Sequence, residues 1–169
     1  MNGSEQALHK YLLKKLGREV GKGKVVLHLS NEQDEIATLI SEKNTYVKVS
    51  CLADLSLQNF EFKKNMFGCV IADMEMPELD DFEAFVDYAK SKLLIPGGML
   101  VVIATNLASF ENIVALIFNN DLPNFKRPSR AVSPGFLRER LLKEGFALQN
   151  RFWIYDHKMM VIANLKASS

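Results

Sequence analysis

Apolar residues in this chain gather into short runs separated by polar stretches with helical spacing. Leu8, Leu12, Leu13 and Leu16 recur at that spacing, with Ser4 placed to cap the start and Gly17 to end it, which predicts an amphipathic helix docked on a core. Val25 to Leu29, with His28 among them, form a buried strand that runs into a loop and then a helix over 34–41 with Ile36, Leu39 and Ile40 inward. "TYVKVSCL" alternates like a second strand, beginning at Thr45 and Tyr46, and "FGCVIAD" (67–73) is a third, continuously apolar one. A helix over 82–94 then leads to "GGMLVVIAT" (97–105), a fourth strand buried on both faces. This alternation of strand and helix specifies a parallel sheet.

The C-terminal part has a different rhythm. A helix over 134–144 stops at Gly145, after which "FALQNRFWIY" and "KMMVIANL" are joined by Asp156 and His157, close enough to pair as an antiparallel hairpin. Phe152 and Trp153 fall on opposite faces of it, so one packs inward. The predicted fold is therefore α/β: a three-layer sandwich with a mostly parallel sheet and a C-terminal antiparallel hairpin. Residues 1–23 are the N-terminal amphipathic helix and its connector, and 24–169 form the α/β domain, a single globular unit. Between the third helix and fourth strand, Pro96 is expected to stop the helix, with Gly97 and Gly98 supplying positive φ angles for the abrupt entry into the strand.

Composition narrows the function classes. A chain of 169 residues with 48% hydrophobic content builds one full core, and 21 basic against 20 acidic side chains leave no global field to gather nucleic acid or an anionic membrane. His9, Lys10, Lys14, Lys15 and Arg18 form a basic face on the first helix that reads as solvated, and the loop "KRPSR" (126–130) reads the same way. Neither a membrane nor nucleic acid is expected as a partner; a protein partner is compatible with the sequence. Cys51 and Cys69 each lie in an apolar, strand-like segment, suiting buried reduced thiols and a cytoplasmic setting. The N-terminus has charges scattered through it and no continuous apolar core, so it reads as neither a secretory signal nor a membrane span.

The segment "FGCVIADMEMPELDDFEAFVDYAKSKLLIPGGMLVVIATN" (67–106) resembles the fourth strand, following helix, Pro-Gly-Gly turn and fifth strand of the class I S-adenosylmethionine-dependent methyltransferases. "SPGFLRERLLKEGF" (133–146) resembles the helix before that family's closing hairpin, and with "LADLSLQNF" the likeness covers roughly two-thirds of the chain. The resemblance implies a cofactor cleft at His28, Ser30, Asn31, Asp54, Leu55, Asp73 and Met74. Two departures from the family make that cleft vestigial. Where the family has Asp-Leu-Gly-Cys-Gly-x-Gly, this sequence puts His28 at the acidic position and Ser30, Glu32 and Asp34 at the three glycines, so carboxylates of the chain complement the helix end that would receive the cofactor. In addition, only 24 positions separate Ser30 from Asp54, room for one helix and one strand but not for the further unit that carries the family's ribose-binding acid.

The expected function is thus a methyltransferase-like protein with a degenerate S-adenosylmethionine site, acting as a non-catalytic binding or regulatory module. No cofactor is expected unless the cleft works, in which case it takes S-adenosylmethionine; the alternative is an active methyltransferase with an atypical loop. A third reading comes from "VIADMEMPELDDFE", which resembles a response-regulator receiver with Asp73 as phospho-acceptor, followed by Met76 and Pro77, and with Thr105 and 126–128 in supporting places. It lacks the receiver's pair of carboxylates at the end of the first strand. "PELDDFEAF" reads as a helix start capped by Asp80 or Asp81, with Glu83 in the first turn. His9, His28 and His157 have no ligand spacing with the cysteines, and no nucleophile elbow or phosphate loop occurs, so no metal and no catalytic residue is assigned.

Overall fold

The computed structural model describes residues 3–30, 35–49, 65–73, 81–105, 133–155 and 158–166. Its elements are α1 (Gly3–Val20), β1 (Val25–Leu29), α2 (Glu35–Ser41), β2 (Thr45–Val49), β3 (Phe67–Asp73), α3 (Phe82–Tyr88), β4 (Leu94–Thr105), α4 (Pro134–Lys143), β5 (Phe146–Tyr155) and β6 (Lys158–Leu165). The six strands form one sheet in the order β2-β1-β3-β4-β6-β5. Pairings β1–β2, β1–β3 and β3–β4 are parallel, and β4–β6 and β5–β6 are antiparallel. The mostly parallel sheet with its closing hairpin is the predicted architecture, and the hairpin is the feature by which it departs from a five-stranded parallel receiver.

Alternation along the strands feeds two apolar layers. Leu27, Leu29, Phe67, Val70, Leu100 and Val102 pack with Phe82, Phe85 and Val86 of α3 and Leu137 and Leu141 of α4. On the other face Val26, Cys69, Ile71, Met99 and Val101 pack with Leu16 and Val20 of α1 and Ile36 and Ile40 of α2. β3 is buried along its whole length, as its unbroken apolar sequence requires. The third helix begins as expected, with the Asp81 carboxylate accepting the Ala84 N–H at 2.9 Å and Glu83 in the first turn. Ser133 caps α4 in the same way, accepting from the Phe136 N–H at 3.2 Å with Pro134 as the first helical residue. Glu83 and Arg140 form an ion pair between α3 and α4.

Five local expectations are corrected. The first helix does not end at Gly17 but runs on to Val20 and gives way at Gly21, whose φ is +77°. Gly17 is instead a close approach between helices, since a Cβ there would lie 3.1 Å from Leu39 Cδ2. The helix also begins at Gly3, so Ser4 lies inside its first turn rather than ahead of it. Pro96 does not stop the third helix: α3 widens into a π-helical turn, Ala89–Leu93, and β4 has already begun when Pro96 arrives. Of the two glycines that follow, only Gly97 has positive φ (+74°), whereas Gly98 is required by crowding, because a Cβ would sit 2.8 Å from the Ile95 carbonyl oxygen. These residues form an irregularity in which Phe67 pairs with Leu94 and Cys69 already with Met99. Finally, Lys15 does not belong to the solvated basic face; it is buried.

Phe152 and Trp153 pair with Val161 and Met160, but their side chains lie outside the described residues, as does Cys51. Cys69 is a free, fully buried thiol, and desolvation pushes it up from 9.0 to about 12, partly countered by Lys24. Between those two values the unfolded chain ionises while the folded one stays protonated, so this group's stabilising contribution is intact below pH 9 and is lost as pH rises toward 12. Stability measured by urea unfolding is expected to fall by about 1.4 kcal/mol per pH unit across that window from this group. The same titration on Cys69→Ala isolates it: equal slopes in parent and variant would contradict the assignment.

Candidate functional site

In an open α/β sheet a ligand binds outside the carboxyl ends of the strands, where successive connections leave one strand in opposite directions. Here that strand is β1: the chain passes from it to β2 on one side and then returns to β3 on the other. Five polar or charged residues are buried in the described parts of the molecule, and four of them lie at these ends: His28 in β1, Ser30 just beyond it, Asp73 closing β3 and Thr105 closing β4. The fifth is Lys15 of α1.

Register and alternation bring the four to one face. Leu29 pairs with Ala72 and Ala72 with Val102, so Ser30 continues β1 beside Asp73, whose own partner is Ile103. Neighbouring strands run about 4.8 Å apart. His28 and Ser30 share the face of Val26, Asp73 that of Cys69 and Ile71, and Thr105 that of Val101 and Ile103, which is the face covered by α1 and α2. Ser30 and Asp73 lie at one level with Ile103, His28 one level behind beside Ile71 and Thr105 one level ahead, so the polar groups cluster at the strand ends of an otherwise apolar face.

Two members have defined partners. His28 is 1% exposed, and its Nδ1 lies 2.6 Å from the hydroxyl oxygen of Tyr46 on β2, the two rings meeting edge to face with centroids 6.0 Å apart. The backbone N–H of Ser30 donates to the carbonyl of Val49 at 3.2 Å, extending the β1–β2 ladder past the end of the strand. Asp73 and Thr105 also have interactions within the protein.

Of the residues expected at the cleft, the fold thus brings His28, Ser30 and Asp73 together, while Asn31, Asp54, Leu55 and Met74 lie outside the described residues. From the sequence Tyr46 is only a strand residue, and Thr105 enters only at the end of the fourth strand and through the receiver resemblance. The signal for Thr105 was its place as the last residue of an apolar run; for Tyr46 there was none, because its hydroxyl reaches His28 across a strand pair. Among the described residues no group of three or more His, Cys, Asp or Glu side chains could hold a metal ion, and no helix is long and apolar enough to cross a membrane.

No protein-family model matches the sequence, and no curated protein matches it. Solved structures do. A methyltransferase dependent on S-adenosylmethionine from Aquifex aeolicus superposes with a TM-score of 0.63 over 90% of this chain and 89% of its own, at 14% identity. The fold is methyltransferase-like. The N-methyltransferase NodS of Bradyrhizobium japonicum matches over 98% of both chains with a TM-score of 0.60 and 10% identity. The 1,6-didemethyltoxoflavin-N1-methyltransferase of Burkholderia thailandensis, solved with S-adenosylhomocysteine bound, matches over 95% of this chain and 79% of its own, with a TM-score of 0.60 and 12% identity. At such identities the likeness is one of fold, and the chemistry rests on the site's own residues.

Proposed function

We propose that this chain is a methyltransferase-like protein whose S-adenosylmethionine site is degenerate, and that it serves as a non-catalytic binding or regulatory module. The observation that carries the reading is Ser30. It stands where the family's first cofactor-loop glycine would stand, its side chain is 1% exposed, and its amide is engaged with Val49. A buried side chain fills the space that a glycine leaves open for close approach of a ligand to backbone.

Two further features support it. His28 occupies the acidic position of the family pattern, and its Nδ1 is committed to Tyr46, so no carboxylate is available there to face a cationic ligand group. The nine glycines fall at 3, 17, 21, 23, 68, 97, 98, 135 and 145, none of them at the carboxyl end of β1, β2, β3 or β4. β2, the strand beside β1, reads Thr45, Tyr46, Val47, Lys48 and Val49 and contains no acid that could hold a ribose. Ser30 and His28 thus fit the cofactor poorly, which supports the reading of a degenerate site.

Calorimetric titration with S-adenosylmethionine, and separately with its demethylated product, tests the reading directly. No saturable heat is expected up to millimolar ligand, a regime in which binding is weaker than about −4 kcal/mol. Micromolar affinity for either compound would overturn it and favour an active enzyme with an atypical loop.

A further inference from the structure

The near-zero net charge conceals a segregation of charge along the chain. Residues 1–24 carry six basic side chains (Lys10, Lys14, Lys15, Arg18, Lys22, Lys24) against two acidic ones (Glu5, Glu19), a balance of +4. The remaining residues, with 15 basic and 18 acidic side chains, balance to −3, giving the overall +1. α1 then sorts these charges. Leu16 and Val20 point into the core and Lys15 is buried with them, while Tyr11, Lys14 and Arg18 are exposed at spacings of three and four residues, one stripe along the outer side of the helix. Exposed Lys22 follows just beyond the helix end. Tyr11 is 53% exposed, with the Lys15 Nζ 5.9 Å from the centre of its ring.

We propose that this stripe is a binding surface for single-stranded nucleic acid, in which Lys14, Arg18 and Lys22 contact successive phosphates and Tyr11 stacks on a base. Cations in a row beside an exposed aromatic ring are the two components such binding needs, since phosphates supply affinity without sequence information and any base offers a face to stack on. An anionic membrane surface is the weaker match. A helix that lies in a membrane interface inserts an apolar face, and the described apolar side chains of α1, Leu13, Leu16 and Val20, already pack on the core. The surface is separate from the His28, Ser30 and Asp73 cluster, so its function does not depend on whether that cluster binds a cofactor.

The test is fluorescence anisotropy of the full chain with a labelled 20-nucleotide oligo-U RNA and the equivalent oligo-dT, over a range of salt concentrations. Binding at 50 mM salt is expected, weakening steeply as salt rises. Lys14→Ala/Arg18→Ala/Lys22→Ala should reduce the slope of log affinity against log salt by about 2, since each phosphate contact on a single strand contributes about 0.7. Tyr11→Ala should weaken binding about fivefold or more with the salt slope unchanged, because stacking releases no counterions. All four side chains are exposed, and circular dichroism confirms that the variants keep their fold. Absence of binding at 50 mM salt, or binding that neither variant alters, would overturn the proposal. So would binding to phosphatidylserine vesicles that the triple variant abolishes while oligonucleotides do not bind.

Discussion

Phe67→Ala is expected to destabilise the protein by about 3–5 kcal/mol, the range seen when a fully buried aromatic side chain is truncated in a core that cannot collapse around the gap. Phe67 is 0% exposed and begins β3, in the apolar layer that α3 and α4 complete. Its strand partner is Leu94, at the start of the β4 irregularity. The chain there is already closely packed, since a Cβ at Gly98 would lie 2.8 Å from the Ile95 carbonyl oxygen, so the cavity should persist. Phe67→Leu, which keeps most of the volume, should cost about 1 kcal/mol. Urea unfolding followed by circular dichroism measures both, and a loss below about 1 kcal/mol for the alanine variant would show that the layer repacks.

The second large effect is expected at a polar residue. Asn44, in the turn before β2, ties three elements together: its Oδ1 accepts the Lys24 N–H at 3.0 Å, and its Nδ2 donates to the carbonyls of Gly21 and Ile40, each at 3.2 Å. The end of α1, the start of β1 and the end of α2 thus meet at one amide group. Backbone bonds from Gly23 N–H to Lys43 O and from Thr45 N–H to Lys24 O, at 2.9 and 3.0 Å, flank it. With about 1 kcal/mol net for each hydrogen bond, and partly buried backbone groups left unpaired, Asn44→Ala should cost about 2–3 kcal/mol. Amide exchange adds a local readout, since the Lys24 N–H should lose protection by more than the global change explains. Unchanged protection at Lys24 would mean that the side chain is not the clamp described.

Sequence made the sheet legible where its own pattern was sufficient. β3 is continuously apolar because both faces are covered, and its limits follow directly from that run; the closing hairpin follows from two strand-like runs with a two-residue joint. What escaped were features set by partners distant in the chain. Gly17 reads as a helix end from local propensity, and only Leu39 arriving from α2 reveals that it is a point of close approach. Asn44 carries no signal in the sequence, since nothing near it discloses that Gly21, Lys24 and Ile40 converge there. Lys15 belongs by spacing to a basic face, yet its position over the sheet buries it. For the candidate site, alternation predicts which face His28, Ser30, Asp73 and Thr105 take within each strand. That Ser30 comes to lie beside Asp73, with His28 a level behind and Thr105 a level ahead, depends on the register between strands, which local sequence does not encode.

The position of β6 governs when the sheet can be completed. It is made after β5 yet lies inside it, between β4 and β5, and among the described strands β5 has no other neighbour in the sheet. During synthesis the residues of β5 therefore emerge as an apolar segment with nothing to pair with, and they stay so until 158–165 follow. A nascent or truncated chain that stops at Tyr155 keeps the four parallel strands but exposes the outer edge of β4, together with an unpaired β5, as two open templates for association with other chains. Eight late residues thus separate a closed sheet from an aggregation-prone one.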